Sequence, residues 1–232
     1  MIKFAVLGSG SKGNSVWVDI DGKQILLDCG FTYKALHRRL AIINKSPEDI
    51  KEIYITHCHG DHHGASVKWF EKHGVPIRTE GHFKLSHDND APCVGYRIED
   101  KDGNSLVYVT DTGGIPCDAL PYLIDANALI IEANHDTVKM IKGPYPDDLK
   151  ERVFYTHMRN EQTADVLRLV AWGGLEYVVL YHLSEVNNEP KLAEYEARMA
   201  LLEAGGWGFD ALDRCKIVVA KQNEPTGIMV VM

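Results

Sequence analysis

Residues 56–64 read Thr56-His57-Cys58-His59-Gly60-Asp61-His62-His63-Gly64, and no other stretch restricts the fold as much. Four histidines and an aspartate within residues 57–63 are costly to hold together unless a cation gathers them. The short β-prone run Ile53-Tyr54-Ile55 precedes the cluster, and a segment with helical patterning, Ala65 to His73, follows it. The cluster therefore belongs on a strand-to-helix loop. In extended backbone, alternate side chains share a side, which converges His57, His59 and Asp61 on one point and sends His62 towards a neighbouring one. Two adjacent metal positions follow. Imidazole and carboxylate donors without a thiolate suit a borderline divalent ion such as zinc, manganese or ferrous iron. Cys58, between two ligand histidines, points away from them.

Other strand-like runs also end in polar residues. Gln24 to Leu27 leads into Asp28, Phe83 to Ser86 into His87, and Ser105 to Val109 into Thr110-Asp111. Ala128 to Ile131 leads into Glu132-Ala133-Asn134-His135, and Tyr177 to Tyr181 into His182. Strand ends gathered along one sheet edge are where α/β proteins keep their chemistry. Asp28 is placed either to support the histidine loop from behind or to cap a helix from Thr32 to Leu40, and the first is preferred. His73, at the end of its helix, is read as a partner of the helix dipole.

Ile2 to Leu7 and Val16 to Val18 read as strands joined by Gly8-Ser9-Gly10-Ser11-Lys12-Gly13-Asn14-Ser15. That loop lacks the ending of a phosphate-cradling P-loop and leads to a strand, so it reads as a hairpin whose backbone passes close to the site. Ser46-Pro47-Glu48-Asp49 has the pattern of a helix start. Pro144 to Asp148 opens a short helix towards Arg152, with Val153 to Thr156 running into His157, and residues 161–172 form another helix. Pro190 to Ala204 forms an amphipathic helix through Leu192, Tyr195, Met199 and Leu202. Val75 to Arg78, Val94 to Ile98, Lys216 to Ala220 and Ile228 to Val231 complete the strands. Two packed sheets with helices outside are the expected arrangement.

With 232 residues, 45% of them hydrophobic, the chain supports one sizeable core, so residues 1–232 are expected to form a single domain. The apolar N-terminal run is too short for a signal peptide, and no run is long enough to span a membrane. Five scattered cysteines without a Cys-x-x-Cys pair fit a reducing, cytoplasmic setting. The formal net charge of −8 tells against a broad basic surface for nucleic acid. A pair of divalent cations adds positive charge at one spot, however, and a local groove can be basic on an acidic protein.

The cluster His57-x-His59-x-Asp61-His62, with His87, Asp111 and His182 each at a strand end, resembles the metallo-β-lactamase superfamily. The resemblance implies a four-layer αββα sandwich with a dinuclear site. It also implies that His57, His59 and His87 hold one ion, that Asp61, His62 and His182 hold the other, and that Asp111 bridges them. The flanking Leu7 to Ser15, Leu27-Asp28-Cys29-Gly30, Glu132-Ala133-Asn134-His135-Asp136 and His182-Leu183-Ser184-Glu185 are similar to the YycJ/WalJ-like exonuclease branch. Two departures stand out. Thr156-His157-Met158-Arg159-Asn160 replaces that branch's usual Gly-His-Leu-Ser-Asn, and the interval from His62 to His87 is short.

The implied function is phosphodiester hydrolysis with two zinc or manganese ions, acting 5′-to-3′ on DNA. Asp61 would orient the attacking water, and His157 would hydrogen-bond the phosphate or protonate the leaving oxygen, a reading preferred to that of a structural histidine capping the helix from Asn160. His135 is read as either a substrate contact or a turn residue, and Arg159 as either a phosphate contact or a solvated helix start. A hydrolase of a small phosphodiester, cyclic nucleotide, thioester or lactone on the same metals is the alternative, and a non-catalytic metal-binding scaffold is a further one. Oligomeric state is left open.

Overall fold

The computed structural model describes residues 1–88, 91–204 and 215–231. The first strands are apolar on both faces, and the fold uses both. β1 (Ile2–Gly8), β2 (Ser15–Ile20) and β3 (Lys23–Leu27) form an antiparallel meander. Ile2, Phe4 and Val6 face the middle of the molecule, while Ala5 and Leu7 pack in a separate outer cluster with Trp17 and Leu26. β4 (Glu52–Tyr54) and β5 (Ile77–Arg78) extend the sheet in parallel, and β12 (Met229–Val231) closes its other edge against β1. The order is β12-β1-β2-β3-β4-β5.

The second sheet is built from β6 (Phe83–Asp88), β7 (Ala91–Glu99), β8 (Ser105–Val109), β9 (Ala128–Glu132), β10 (Tyr177–Tyr181) and β11 (Lys216–Val219), in reverse spatial order. β8 to β11 run parallel, which requires long crossovers, and the apolar runs of β8, β9 and β10 are buried throughout. Tyr96, Tyr108, Ile130 and Val179 meet Phe4, Val18 and Ile25 between the sheets. On the outside, α1 (Tyr33–Ile42) and α2 (Val67–Lys72) cover the first sheet. α5 (Asn160–Val170) and α6 (Pro190–Ala204) cover the second, so the layers are helix, sheet, sheet, helix. Among the described residues no helix is long and apolar enough to cross a membrane.

Three local expectations are corrected. Ser46 to Asp49 yields only a single 3-10 turn, Pro47–Asp49, because buried Ile50 turns extended immediately to enter β4. Val153 to Thr156 continue the preceding helix, α4 (Asp147–Thr156), which follows the short α3 (Thr137–Lys142) and ends at His157. In α6 the large apolar stripe lies outside: Tyr195 is 58% exposed, and Leu192 and Leu202 are exposed too. The helix buries Ala193, Ala197, Ala200 and Leu201 instead, and the three alanines let it sit closely on α5 and β11. Thr32, rather than Asp28, caps α1.

Candidate metal centre

The loop from β4 to α2 is shaped by backbone contacts before any side chain is considered. The amides of His62 and His63 both donate to the carbonyl of His59, at 2.9 and 2.7 Å, so the chain turns sharply between them. This turn overrules the extended-backbone expectation, since Asp61 is carried to the side of His62 and away from His57 and His59. The loop then lies on Gly30. Asn14 N donates to Asp61 O at 2.7 Å, Cys29 N to His62 O at 2.8 Å, and Gly64 N to Cys29 O at 2.9 Å.

A Cβ on Gly30 would fall 1.7 Å from the Asp61 carbonyl oxygen, a backbone atom that cannot swing aside. Gly30→Ala is therefore expected to displace the ligand loop and weaken metal binding roughly 10- to 100-fold, the range for changes that disturb ligand orientation. Competition against a chromophoric chelator measures it, and an unchanged affinity would show that the loop is placed by something else.

Asp28, Asp111 and His182 each follow a strand and each adopt a left-handed backbone, with φ of 57, 53 and 54°. Such a turn in a residue other than glycine is uncommon and mildly strained. Here it swings three strand-end side chains towards one place. The structure gathers His57, His59 and His87 into one group and Asp61, His62, Asp111 and His182 into another, with ligand atoms in each within 4.8 Å of one another. Asp111 lies between the two: Oδ1 is 3.4 Å from His62 Nε2, and Oδ2 is 3.8 Å from His57 Nε2 and 3.9 Å from His87 Nε2.

The imidazoles are oriented from behind. His62 Nδ1 donates to Asp28 Oδ2 at 2.7 Å, and His87 Nδ1 donates to the Thr156 carbonyl at 3.0 Å. Thr56 Oγ1 gives its proton to Asp28, so it accepts from His57 Nδ1 at 3.0 Å. His182 Nδ1 lies 3.3 Å from Glu132 Oε1. All four rings therefore turn Nε2 towards the centre, with a lone pair free to coordinate. Asp28, held also by the Thr56 amide and Tyr108 hydroxyl at 2.8 Å each, is the hub of that support.

The donor set fits cations and little else. His59 Nδ1 lies 3.0 Å from His57 Nε2 and 3.3 Å from His87 Nε2, an arrangement of facing nitrogens that hydrogen bonds alone do not satisfy. Buried His182 Nε2 has no hydrogen-bond partner among the described residues. Among the described residues, the ion-pair contacts of Asp28, Asp61, Asp111 and Glu132 are all with histidines. Burial alone would push the Asp111 carboxyl up, but His182 and His62 hold it well below the usual range. Burial likewise opposes charge on His182, yet Asp111, Asp61 and Glu132 lift it to about 10. The carboxylates thus demand positive charge at this spot. Cys93, 3.9 Å from His57 Nδ1, stays a neutral thiol because burial raises its pKa well above the ordinary value.

His157 stands on the wall of the resulting cavity, about 430 Å³, which Ser11, Asp61, His87, Arg152 and His182 also line. Its Nδ1 bonds Glu132 Oε1 at 2.6 Å, and its ring stacks on His182 at 5.2 Å between centroids. His135 and Arg159 do not line this cavity. His135 is buried against Phe154 with burial lowering its pKa to about 4, and Arg159 caps α5.

Sequence reasoning missed three residues. Asn14 donates from Nδ2 towards Asp61 Oδ2 at 3.2 Å and sits 2.9 Å from His62 Nε2, as the expected approach of the β1–β2 loop allows. Glu132 is fully buried, and its other oxygen accepts from the Thr112 amide at 2.9 Å. Burial works against its charge, but His157 and His182 hold it below the ordinary carboxylate range, so it is ionised. Its signal was an acid closing an otherwise apolar strand. Arg152, the third, lines the cavity one helical turn before Thr156.

A model of the metallo-beta-lactamase superfamily matches residues 8–182. The exodeoxyribonuclease WalJ of Streptococcus pneumoniae serotype 2 is 32% identical over 90% of this chain and 91% of its own. The exodeoxyribonuclease YycJ of Bacillus anthracis is 27% identical over 88% of this chain and 90% of its own. Among solved structures, the metallo-beta-lactamase fold protein YhfI from Bacillus subtilis superposes with a TM-score of 0.66 at 16% identity, covering 97% of this chain and 98% of that one.

Proposed function

This chain belongs to the metallo-β-lactamase superfamily and is a metal-dependent hydrolase, and from that premise we propose that it is a dinuclear phosphodiesterase acting as a 5′-to-3′ exonuclease on DNA. The observation that carries the reading is Asp111, which lies between two donor groups of a single cavity whose wall also presents a carboxylate-anchored histidine. Two relatives that bear the exodeoxyribonuclease name over about nine-tenths of both chains support DNA as the substrate.

Two divalent ions, zinc or manganese, held by His57, His59 and His87 and by Asp61, His62 and His182, with Asp111 shared, would supply Lewis acidity for water and for charge growing on phosphorus. The chain's own residues do the rest. Asp61, steadied by Asn14 and with its side chain 24% exposed to the cavity, orients the attacking water. With Nδ1–H donated to ionised Glu132, the His157 ring in its imidazolium form can donate Nε2–H to a phosphate oxygen and then pass that proton to the departing sugar oxygen, leaving a neutral ring. Free thiols at Cys29, Cys93 and Cys215, all buried, are consistent with a reducing cytoplasmic setting.

The net charge of −8 favours a second reading, hydrolysis of a small phosphodiester at the same site. Metal-loaded protein incubated with 5′- and 3′-end-labelled duplex DNA, alongside bis-p-nitrophenyl phosphate, separates the two. Stepwise release of nucleotides from the 5′ end is expected. Turnover of the small ester with intact DNA would retire the exonuclease reading.

A further inference from the structure

α4 turns two adjacent stripes inwards. Arg152 and Thr156, one turn apart, line the metal cavity, while Leu149 and Val153, also one turn apart, line a second cavity of about 310 Å³. The two cavities share Ser11, Arg152, His157 and His182, so they meet directly at the histidine wall. Their linings differ in kind. Beside the metals the lining is mostly charged and imidazole. Beyond His157, aliphatic side chains such as Leu149 and Val153 and one aromatic ring, Tyr145, stand beside the polar Asn134, Ser184 and Glu185, the last paired with Lys12 at 2.5 Å.

Tyr145 is half-buried just before α4, and among the described residues no hydrogen bond or ring contact engages it. Arg152, at the junction, is exposed, and among the described residues its guanidinium has no carboxylate partner. Asn134 and Ser184 at the rim are already engaged, Asn134 Nδ2 donating to the His182 carbonyl at 2.9 Å and Ser184 Oγ accepting from Asn187 N at 3.0 Å. A free cation between a phosphate-activating site and a partly apolar chamber with an idle aromatic ring matches one chemistry: a nucleotide, phosphate outward and base inward.

We propose that this chamber is a base-binding subsite that holds the nucleoside next to the scissile phosphate, with the base against Tyr145 and the phosphate beside Arg152. The inference rests on the phosphodiesterase reading above and adds to it where the strand end lies. The volume is at the small end of ligand cavities, suited to one nucleoside rather than a longer segment. With Asn134 tied to His182 and Glu185 to Lys12, recognition comes chiefly from stacking, which every base provides, and the subsite tolerates all four bases.

The test is calorimetric titration of the metal-loaded protein with dAMP and with 2-deoxyribose 5-phosphate, which lacks only the base. dAMP is expected to bind about ten-fold more tightly, the effect of stacking one base on an aromatic side chain, and the preference is expected to shrink to within about two-fold in Tyr145→Ala. Tyr145→Phe should retain it, and Arg152→Ala should weaken both ligands alike. Equal binding of the two ligands by the unmodified protein, or a preference that survives Tyr145→Ala, would overturn the subsite. Labelled DNA tests the nuclease reading separately: if DNA is untouched while the preference for dAMP persists, the chamber stands as the nucleotide site of a small-molecule phosphodiesterase.

Discussion

Asp111→Asn is expected to lower phosphodiester hydrolysis roughly 10⁴-fold or more and to leave the protein unable to retain its full pair of metal ions. The substitution is nearly isosteric, and asparagine is among the few residues that tolerate the left-handed backbone found at this position, φ 53°. The fold should therefore survive, and the loss can be read as loss of charge. That charge is central because Asp111 reaches His62 and His182 through one oxygen and His57 and His87 through the other. No neighbouring carboxylate can replace it: of the described histidines Asp61 approaches His62 and His182 alone, and Glu132 approaches His182 and His157. Counting metals by mass spectrometry alongside hydrolysis of bis-p-nitrophenyl phosphate checks the prediction. Full activity with both metals retained would mean that Asp111 does not join the two groups.

The contrast between Asp111 and Glu132 indicates how far the sequence alone can be followed. The histidine loop is legible because its candidate ligands are packed into a few consecutive residues, where a bound metal best explains so many donors. His87, Asp111 and His182 are legible only as polar residues closing apolar strands, a pattern that states which sheet edge they occupy but not which way they point. The left-handed turns at Asp28, Asp111 and His182 supply that direction, and nothing in their local composition announces them. Glu132 carries the same strand-end signal, yet its partner His157 arrives from α4, a helix 25 residues further on, so their pairing emerges only from the tertiary fold.

Elsewhere the limits are of a different kind. The strands were readable because both sheets are buried on both faces, which demands near-continuous apolar runs. α6 misled because hydrophobic periodicity weights side-chain size, whereas the packing between α5 and α6 selects smallness. Leu192, Tyr195 and Leu202 form the more conspicuous stripe, and Ala193, Ala197 and Ala200 form the one that fits. Arg159 drew attention by its position two residues after His157, but α5 begins there and turns it away from the cavity, and Arg152 takes the place beside the site. Within the ligand loop, the His59 carbonyl defeats the alternation argument by accepting two amides at once.

His157→Ala should behave quite differently from loss of a ligand, keeping both metal ions while the rate on DNA falls roughly 10²- to 10⁴-fold, the usual worth of a positioned acid. The size of the loss should depend on the leaving group. A nitrophenolate departs without a proton, so bis-p-nitrophenyl phosphate should suffer much less than a substrate that releases a sugar hydroxyl. Glu132→Gln is expected to reproduce part of this pattern, since an amide oxygen that accepts from His157 Nδ1 no longer stabilises a charged ring and the amide nitrogen is then set against the Thr112 N–H that the carboxylate accepts. Glu132 also approaches His182 Nδ1 at 3.3 Å, so its variant should weaken metal binding roughly 10- to 100-fold as well, which titration with metal at saturating concentration separates from the chemical step. If the pair acts as a unit, the double variant should be no slower than His157→Ala alone once metal is saturating. Equal losses on the nitrophenyl ester and on DNA would instead assign His157 to holding the substrate phosphate, and remove it from proton transfer.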